Sequence, residues 1–467
     1  MNSQIEQWIR TELAGLYGTG VVAEMSEIIR LYEMYDGSGQ SWNPVTDGTY
    51  TPTRIITNLI KKLINDESRF MVGRSPEIRI VAQKEGDKAA AEQLQDWLDR
   101  TLSGTFWRKR LLHGVRDALI GKRVALKLTG APGKPMTLQF APSLEFVFEV
   151  QDDAIDRVTK CIFFYEVTPE NTTDREKQRI WRQKYWLEDG RCLMDEGLYD
   201  GYGKLLREDS HRADTGLDFV PVYIIINGGL SGDLSGESDV RELMDSQNAY
   251  NRAKSDDADA LKYNMFPQKV FVDASQDSMD ALKIAPNAAI DLQTEPGLTG
   301  GRAAASVLES TFNYDSRLQH YLELLRQDMY SLLSVPQITK DTLQGIGVSG
   351  KAMRAMYWDL ICRCDEKWAD GWDDAIRWMV EHLFRMARAY GTALPEIDYL
   401  VDIDHLYPLM DDEEEERDRD LNEVSRQARS RRSYIQKWHD LDDPDAELKQ
   451  IRAERQLLEE SWATGLE

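Results

Sequence analysis

Three long helical stretches in the middle of a 467-residue chain constrain the fold more than any other feature. Residues 238–264 read as one helix, about 40 Å long at about 1.5 Å per residue. Residues 303–333 read as a second, in which Val307, Leu308, Phe312, Leu318, Tyr321, Leu322, Leu325, Met329 and Leu332 recur at helical period. A third spans residues 349–390, about 60 Å if unbroken. Gly371 is placed to kink it and Gly391 to end it. Between the first two lies a short β-like insertion, residues 267–296, whose clearest strand is 269–272. Helices of this length form bundles, coiled coils or subunits that span a larger assembly. Strict heptads are absent, which sets the coiled coil aside and favours assembly.

The flanking regions give the chain a mixed, α+β character. The first third is largely helical: Ile28, Ile29, Leu31, Tyr32 and Tyr35 share one face, and Ile55, Ile56, Leu59, Ile60, Leu63 and Ile64 share another. A short strand over 76–81 precedes helices near 87–102 and 105–120. From Lys122 to Asn227 the pattern changes to period two, with Val124, Leu126 and Leu128 alternating with polar residues. Strand candidates follow at 138–140, 146–148, 161–165, 180–186, 205–207 and 219–227, close enough in sequence to favour antiparallel pairing. Past Pro395 an aspartate-rich stretch leads to the acidic block 411–416, and residues 417–460 read as charged helices separated at Asp442-Asp443-Pro444.

The charge narrows the functions open to such a chain. With 81 Asp+Glu against 57 Lys+Arg the formal net charge is −24. Tight, static binding to nucleic acid draws on Lys and Arg that neutralise phosphates, and this balance excludes it. Anchoring to an anionic membrane is excluded on the same ground. Residues 1–10 lack the basic start and apolar run of a leader. The longest apolar run, 220–226, is interrupted by Pro221 and is far short of the ~20 residues that span a bilayer.

The remaining motifs point away from catalysis. Cys161, Cys192, Cys362 and Cys364 read as reduced structural thiols, and the scattered histidines offer no metal-ligand spacing. No cofactor is expected. Gly345-Ile-Gly-Val-Ser-Gly350-Lys351 matches the spacing of a phosphate-binding loop, but Ala352 stands where a Ser or Thr would hold magnesium. No apolar strand precedes it, so the segment reads as a glycine-rich loop entering a helix capped by Ser349. The acidic block reads as a solvated face, and Arg426, Arg429, Arg431 and Arg432 as ion-paired with neighbouring acids. Trp358, Trp368, Trp372 and Trp378 read as filling helix–helix contacts, and His320 and His382 as structural.

Several stretches, in this order, resemble the portal proteins of tailed bacteriophages, in particular those of phages with long non-contractile tails. Phe70-Met-Val-Gly-Arg-Ser-Pro76 followed by a strand is similar to the family's helix-end motif. Phe219-Val-Pro-Val-Tyr-Ile-Ile-Ile-Asn227, a short loop and then residues 238–251 resemble the entry to the portal stem. Gly347-Val-Ser-Gly350-Lys-Ala352 opening a long helix resembles the end of the portal tunnel loop. The likeness covers roughly residues 55–390.

That resemblance implies a portal fold and a ring, usually of twelve subunits, at one capsid vertex of the virion, assembled in the host cytoplasm. Residues 1–237 would form the wing, 238–264 and 303–335 the paired stem helices, and 265–302 the clip. Residues 336–348 would be the tunnel loop, 349–416 the long helix and return to the wing, and 417–467 the crown. The clip, with Phe266, Lys269, Phe271, Asp273 and Lys283, would receive the terminase large subunit during packaging and a head-completion adaptor afterwards. Gln337, Thr339, Lys340, Thr342 and Gln344 would meet double-stranded DNA in the tunnel, with Gly345, Gly347, Ser349 and Gly350 as the loop-to-helix hinge. Capsid and scaffolding proteins would be further partners, and no membrane is involved. An acidic channel suits that role, because DNA must slide past without being held. Another ring-forming virion or tail protein, or a nucleotide-binding protein built on the 345–351 loop, are the alternatives.

Overall fold

The computed structural model describes residues 19–42, 51–167, 177–265, 268–272, 274–276, 280, 293–294, 303–308, 315–338, 350–409, 413–438 and 444–464. The chain divides into two units, one of residues 1–337 and 359–408, the other of residues 338–358 and 409–467.

The first unit opens with helix α1 (Thr19–Asp36), helix α2 (Leu59–Val72) and strand β1 (Glu77–Ala82), then α3 (Lys88–Gly104) and α4 (Trp107–Gly121). Eight antiparallel-paired strands follow: β2 (Arg123–Thr129), β3 (Thr137–Pro142), β4 (Phe146–Gln151), β5 (Ala154–Glu166), β6 (Ile180–Glu188), β7 (Arg191–Tyr199), β8 (Leu205–Asp214) and β9 (Val222–Ile226). They make a three-stranded sheet in the order β3-β2-β9 and a five-stranded meander β4 to β8. The period-two reading of residues 122–227 thus corresponds to antiparallel sheet. Strand β7 holds Cys192, in a stretch that reads as strand-like, and β8 runs well past the expected 205–207.

Packing follows the apolar faces. Met25, Ile28 and Ile29 of α1 close with Leu144, Val147, Ile162, Phe164 and Ile180 into one buried cluster against the meander. Helix α4 presses on the smaller sheet so tightly that a Cβ on Gly114 would lie 2.6 Å from the Phe140 ring. That ring is itself flanked by Trp107 and Trp372, at centroid distances of 6.2 and 5.8 Å. Strand β2 is buried on both faces, so Lys127 sits inside rather than at the surface.

From Ser238 the chain enters helix α5 (Asp239–Met265), within a residue of the expected first long helix. Strands β10 (Gln268–Val272) and β11 (Ala304–Leu308) then pair antiparallel, Phe271 opposite Ala305. Helix α6 (Asp315–Leu332) follows and packs against α5. This corrects the second expected helix, which starts at Asp315 and not at 303. The run Ala303-Ala-Ala-Ser-Val-Leu308 has the propensity of a helix, but pairing with residues 268–272 holds it extended.

Helix α8 (Trp358–Lys367) continues through a π-helical turn (Trp368–Trp372) into α9 (Asp373–Ala389). The turn contains the expected kink at Gly371, and the helix ends before Gly391 at φ +86°. Trp368 and Trp372 are buried, and Trp378 stacks on His382 at 4.3 Å, in keeping with a packing role for all three. Strand β12 (Tyr399–Asp404) then returns to pair with β1. The alternation of Asp402 and Asp404 with Val401 and Ile403 hid this strand as an acidic stretch; both aspartates lie within 4 Å of Arg79, at 3.7 and 3.3 Å.

The second unit contains α7 (Gly350–Met356), α10 (Glu413–Ser425), α11 (Arg431–Trp438) and α12 (Pro444–Thr464). Its centre is Asp420, which accepts from Arg429 at 2.5 Å, Lys437 at 2.9 Å and the Trp438 indole at 2.8 Å. Arg432 pairs with Asp445 at 3.1 Å, so the arginine cluster is spent partly on internal ion pairs as expected. Trp358, at 59% exposure, does not fill a helix–helix contact and corrects that expectation.

Candidate functional site

Helix α5 is held by two sets of polar contacts that its sequence supplies at fixed spacing. The first is a ladder. Gln247, Asn251, Ser255 and Asp259 recur every four residues, so they form one slowly drifting stripe along the helix. Against this stripe lies the extended segment 51–58. Leu59 N–H and Ile60 N–H donate to Gln247 Oε1 at 2.8 and 3.1 Å, and Gln247 Nε2 donates to the Thr57 carbonyl at 2.8 Å. Thr57 N–H donates to Asn251 Oδ1 at 3.0 Å, Ile55 N–H to Ser255 Oγ at 3.0 Å, and Thr53 N–H to Asp259 at 2.9 Å.

The geometry explains the spacing. Four helical residues advance about 6.0 Å, and two extended residues about 6.6 Å. A helix offering an acceptor every fourth residue therefore matches an extended strand offering an outward N–H every second residue. The first rung also completes the start of α2. Its opening N–H groups have no partner inside the helix, and Gln247 takes two of them while Asn58 Oδ1 accepts from Lys61 N–H at 2.9 Å. A parallel grip holds residues 40–41: Ser41 N–H donates to Asn248 at 3.1 Å, Asn251 Nδ2 to Gln40 at 2.7 Å and Arg252 to the Ser41 hydroxyl at 2.6 Å.

The second set anchors the beginning of α5. Asp239 lies 2.9 Å from Lys367 and 3.2 Å from Arg363, and Arg363 also holds Glu67 at 2.8 Å. Lys367 donates to Asn227 Oδ1 at 2.9 Å. Glu67, Asp239 and Lys367 are all buried, so α2, α5 and α8 meet around charges that neutralise one another. Burial, and then the Asp239 charge, push the Glu67 carboxyl up to about 7. Burial also opposes ionisation of Asp239, but Lys367 and Arg363 outweigh it and hold that carboxyl below the usual range. Just upstream, Gly236 at φ +74° passes so close that a Cβ would sit 2.5 Å from the Lys122 carbonyl oxygen. Only glycine fits that approach. Ser238 then donates to the Ile120 carbonyl at 2.6 Å.

Of the residues singled out from sequence, Lys269 and Phe271 fall on β10. Gln337 follows α6, and Gly350 is the first residue of α7. Phe266, Asp273, Lys283, Thr339, Lys340, Thr342, Gln344, Gly345, Gly347 and Ser349 lie outside the described residues. The glycines of the phosphate-loop lookalike are therefore among the undescribed positions, apart from Gly350. Among the described residues no group of three or more His, Cys, Asp or Glu is placed to hold a metal ion. No helix among them is long and apolar enough to cross a membrane.

Residues 239–332 thus run as a helix, a pair of antiparallel strands and a second helix packed on the first. The family described as phage portal protein, SPP1 Gp6-like, matches residues 20–460, nearly the whole chain. The chain belongs to that family. No curated protein matches it. Portal proteins of this family are structural virion proteins of DNA packaging, not enzymes, and membership implies an oligomeric ring at a capsid vertex. The signal of the polar ladder, Gln247-x3-Asn251-x3-Ser255-x3-Asp259, is legible in the portal sequence. A polar stripe of this kind reads as a solvated face until its partner, some two hundred residues upstream, is known.

Proposed function

We propose that this chain forms a twelve-membered portal ring whose stem helices, α5 and α6, wall the channel through which DNA is packaged and ejected. The clip, residues 265–302 with strand β10, receives the terminase large subunit and then the head-completion adaptor. Residues 336–348 face the DNA, and 417–467 form the crown. The observation that carries this reading is the family match over residues 20–460, joined to the helix–hairpin–helix order of residues 239–332.

The physics of transit supports it. A wall in a chain of net charge −24 repels phosphate, so duplex DNA passes without adhesion. Lys340 is the single basic residue between 336 and 348, one cation per subunit to meet the backbone in passing. Energy for translocation comes from the terminase motor, since Ala352 leaves the 345–351 loop without a magnesium-binding hydroxyl. Lys340→Glu tests the assignment. We expect rings of normal size and a reduced yield of DNA-filled heads in a packaging assay; unchanged DNA filling would overturn the role of the loop.

A further inference from the structure

The charges buried between α2, α5 and α8 do not balance. Two cations of α8, Arg363 and Lys367, face Glu67 of α2 and Asp239 of α5. Glu242, one turn further along α5, sets a third carboxylate in the field of the same two cations. The Cys364 thiol of α8 also faces Glu67, but burial pushes its pKa up and it brings no charge.

The donors are shared unequally among these acids. Asp239 lies 2.9 Å from Lys367 and 3.2 Å from Arg363, and the Asn227 amide donates to it at 3.3 Å. Glu67 receives Arg363 Nε at 2.8 Å on Oε1, with Lys367 at 3.8 Å from the same oxygen. Its other oxygen, Oε2, has no hydrogen-bond partner among the described residues, and the residue is fully buried. The two cations are engaged elsewhere as well: Lys367 donates to Asn227 and Arg363 to the Leu332 carbonyl, at 2.9 and 3.4 Å. A buried carboxylate oxygen that lacks a donor costs more than a buried neutral carboxyl. The surplus proton of three acids facing two cations therefore belongs on Glu67.

We propose that Glu67 is a proton-operated latch: with the proton on Oε2 the junction of α2, α5 and α8 is closed, and loss of that proton loosens α8 from α2 and from the start of α5. Lys367 is the last residue of α8 before the π-helical turn, so the latch pins the helix where it bends. Ionised, Glu67 needs a second donor for Oε2, and only water admitted by a movement of α8 supplies one without breaking the pairs of Asp239.

The direction of the response follows from linkage. Closed, Glu67 titrates at about 7; opened to water it returns toward its ordinary value of 4.5. Opening therefore releases a proton between those values and becomes easier as pH rises through that window, then levels off above it.

Hydrogen exchange of the full-length assembled protein tests this, with rates corrected for the intrinsic pH dependence of amide exchange. Between about pH 5.5 and about pH 7.5, protection of peptides covering residues 59–72 and 358–372 should fall at least about tenfold. Peptides covering 88–104 should keep theirs. Glu67→Gln retains an oxygen for Arg363 and cannot ionise, so its protection over 358–372 should be the same at both pH values. Flat protection over 358–372 in the wild type, an equal fall over 88–104, or a fall that persists in Glu67→Gln would overturn the proposal. Should Glu67→Gln fail to assemble, Glu242→Gln takes its place: removing the third carboxylate eases ionisation of Glu67, so the fall in protection should end at a lower pH. An unshifted profile in that variant would overturn the proposal equally.

Discussion

Replacing Asn251 with Ala removes the middle of the ladder and leaves helix α5 intact. Asn251 is 1% exposed; its Oδ1 accepts from Thr57 N–H at 3.0 Å and its Nδ2 donates to Gln40 at 2.7 Å. The variant leaves the Thr57 N–H without its acceptor in a partly buried place, which costs about 1–3 kcal/mol. Helix propensity moves the other way, since Ala is the better helix former by a few tenths of a kcal/mol. The loss should therefore appear in the strapped segment and not in the helix. Hydrogen exchange read by mass spectrometry separates the two. Peptides covering residues 51–60 should exchange about 10- to 100-fold faster, a factor of ten for each ~1.4 kcal/mol. Peptides covering 239–265 should be unchanged. Asn251→Asp keeps an acceptor for Thr57 and loses only the donor to Gln40, so it should retain most of the protection. Unchanged exchange over 51–60 in Asn251→Ala would refute the ladder, as would an equal rise over 239–265.

Further outcomes follow from the packing and the charges. Gly114→Ala brings a methyl within 2.6 Å of a Phe140 ring that Trp107 and Trp372 hemmed in, and overpacking of about 1–3 kcal/mol outweighs the gain of about 1 kcal/mol in helix propensity. Its urea midpoint should fall, whereas Gly104→Ala, with no atom within 4 Å of the added Cβ, should leave it unchanged or slightly raised. Lys127 lies 4.4 Å from the Phe163 ring centroid and 5.2 Å from that of Trp181 and hydrogen-bonds Gln183; burial pushes its pKa down to about 8. Between that value and the ordinary value of 10.5 the unfolded chain holds a proton that the folded chain has lost, so this group's contribution to stability rises with pH. Relative to Lys127→Met, the wild type should gain about 2 kcal/mol in unfolding free energy from about pH 7 to about pH 9.5. A difference that stays flat over that range would show the amine to be solvated.

Much of the fold was legible because its signals are local. Helix α5 is found within a residue of its expected start, the kink falls at Gly371, and the antiparallel module lies where hydrophobicity alternates. What stayed hidden depends on distant partners. Residues 304–308 form a strand only because residues 268–272 lie beside them. Asp402 and Asp404 resemble a solvated acidic tract, yet they flank the inward positions of a strand paired with β1. The same holds for the site. Gln247, Asn251, Ser255 and Asp259 reveal their role only against the backbone of residues 53–60, and Glu67, Asp239, Arg363 and Lys367 come from three helices far apart in the chain. Two-residue and four-residue periods say which face a side chain shares; they carry no information on what that face meets.

The central claim is that this chain builds a channel. Single-particle electron microscopy of the purified full-length protein tests it most directly. The account predicts closed rings of twelve copies around an axial hole wide enough for duplex DNA, with the helix of residues 239–265 running along its wall. A protein that remains monomeric under every condition tried, or rings whose axis is closed to DNA or walled by the β-rich module, would contradict it.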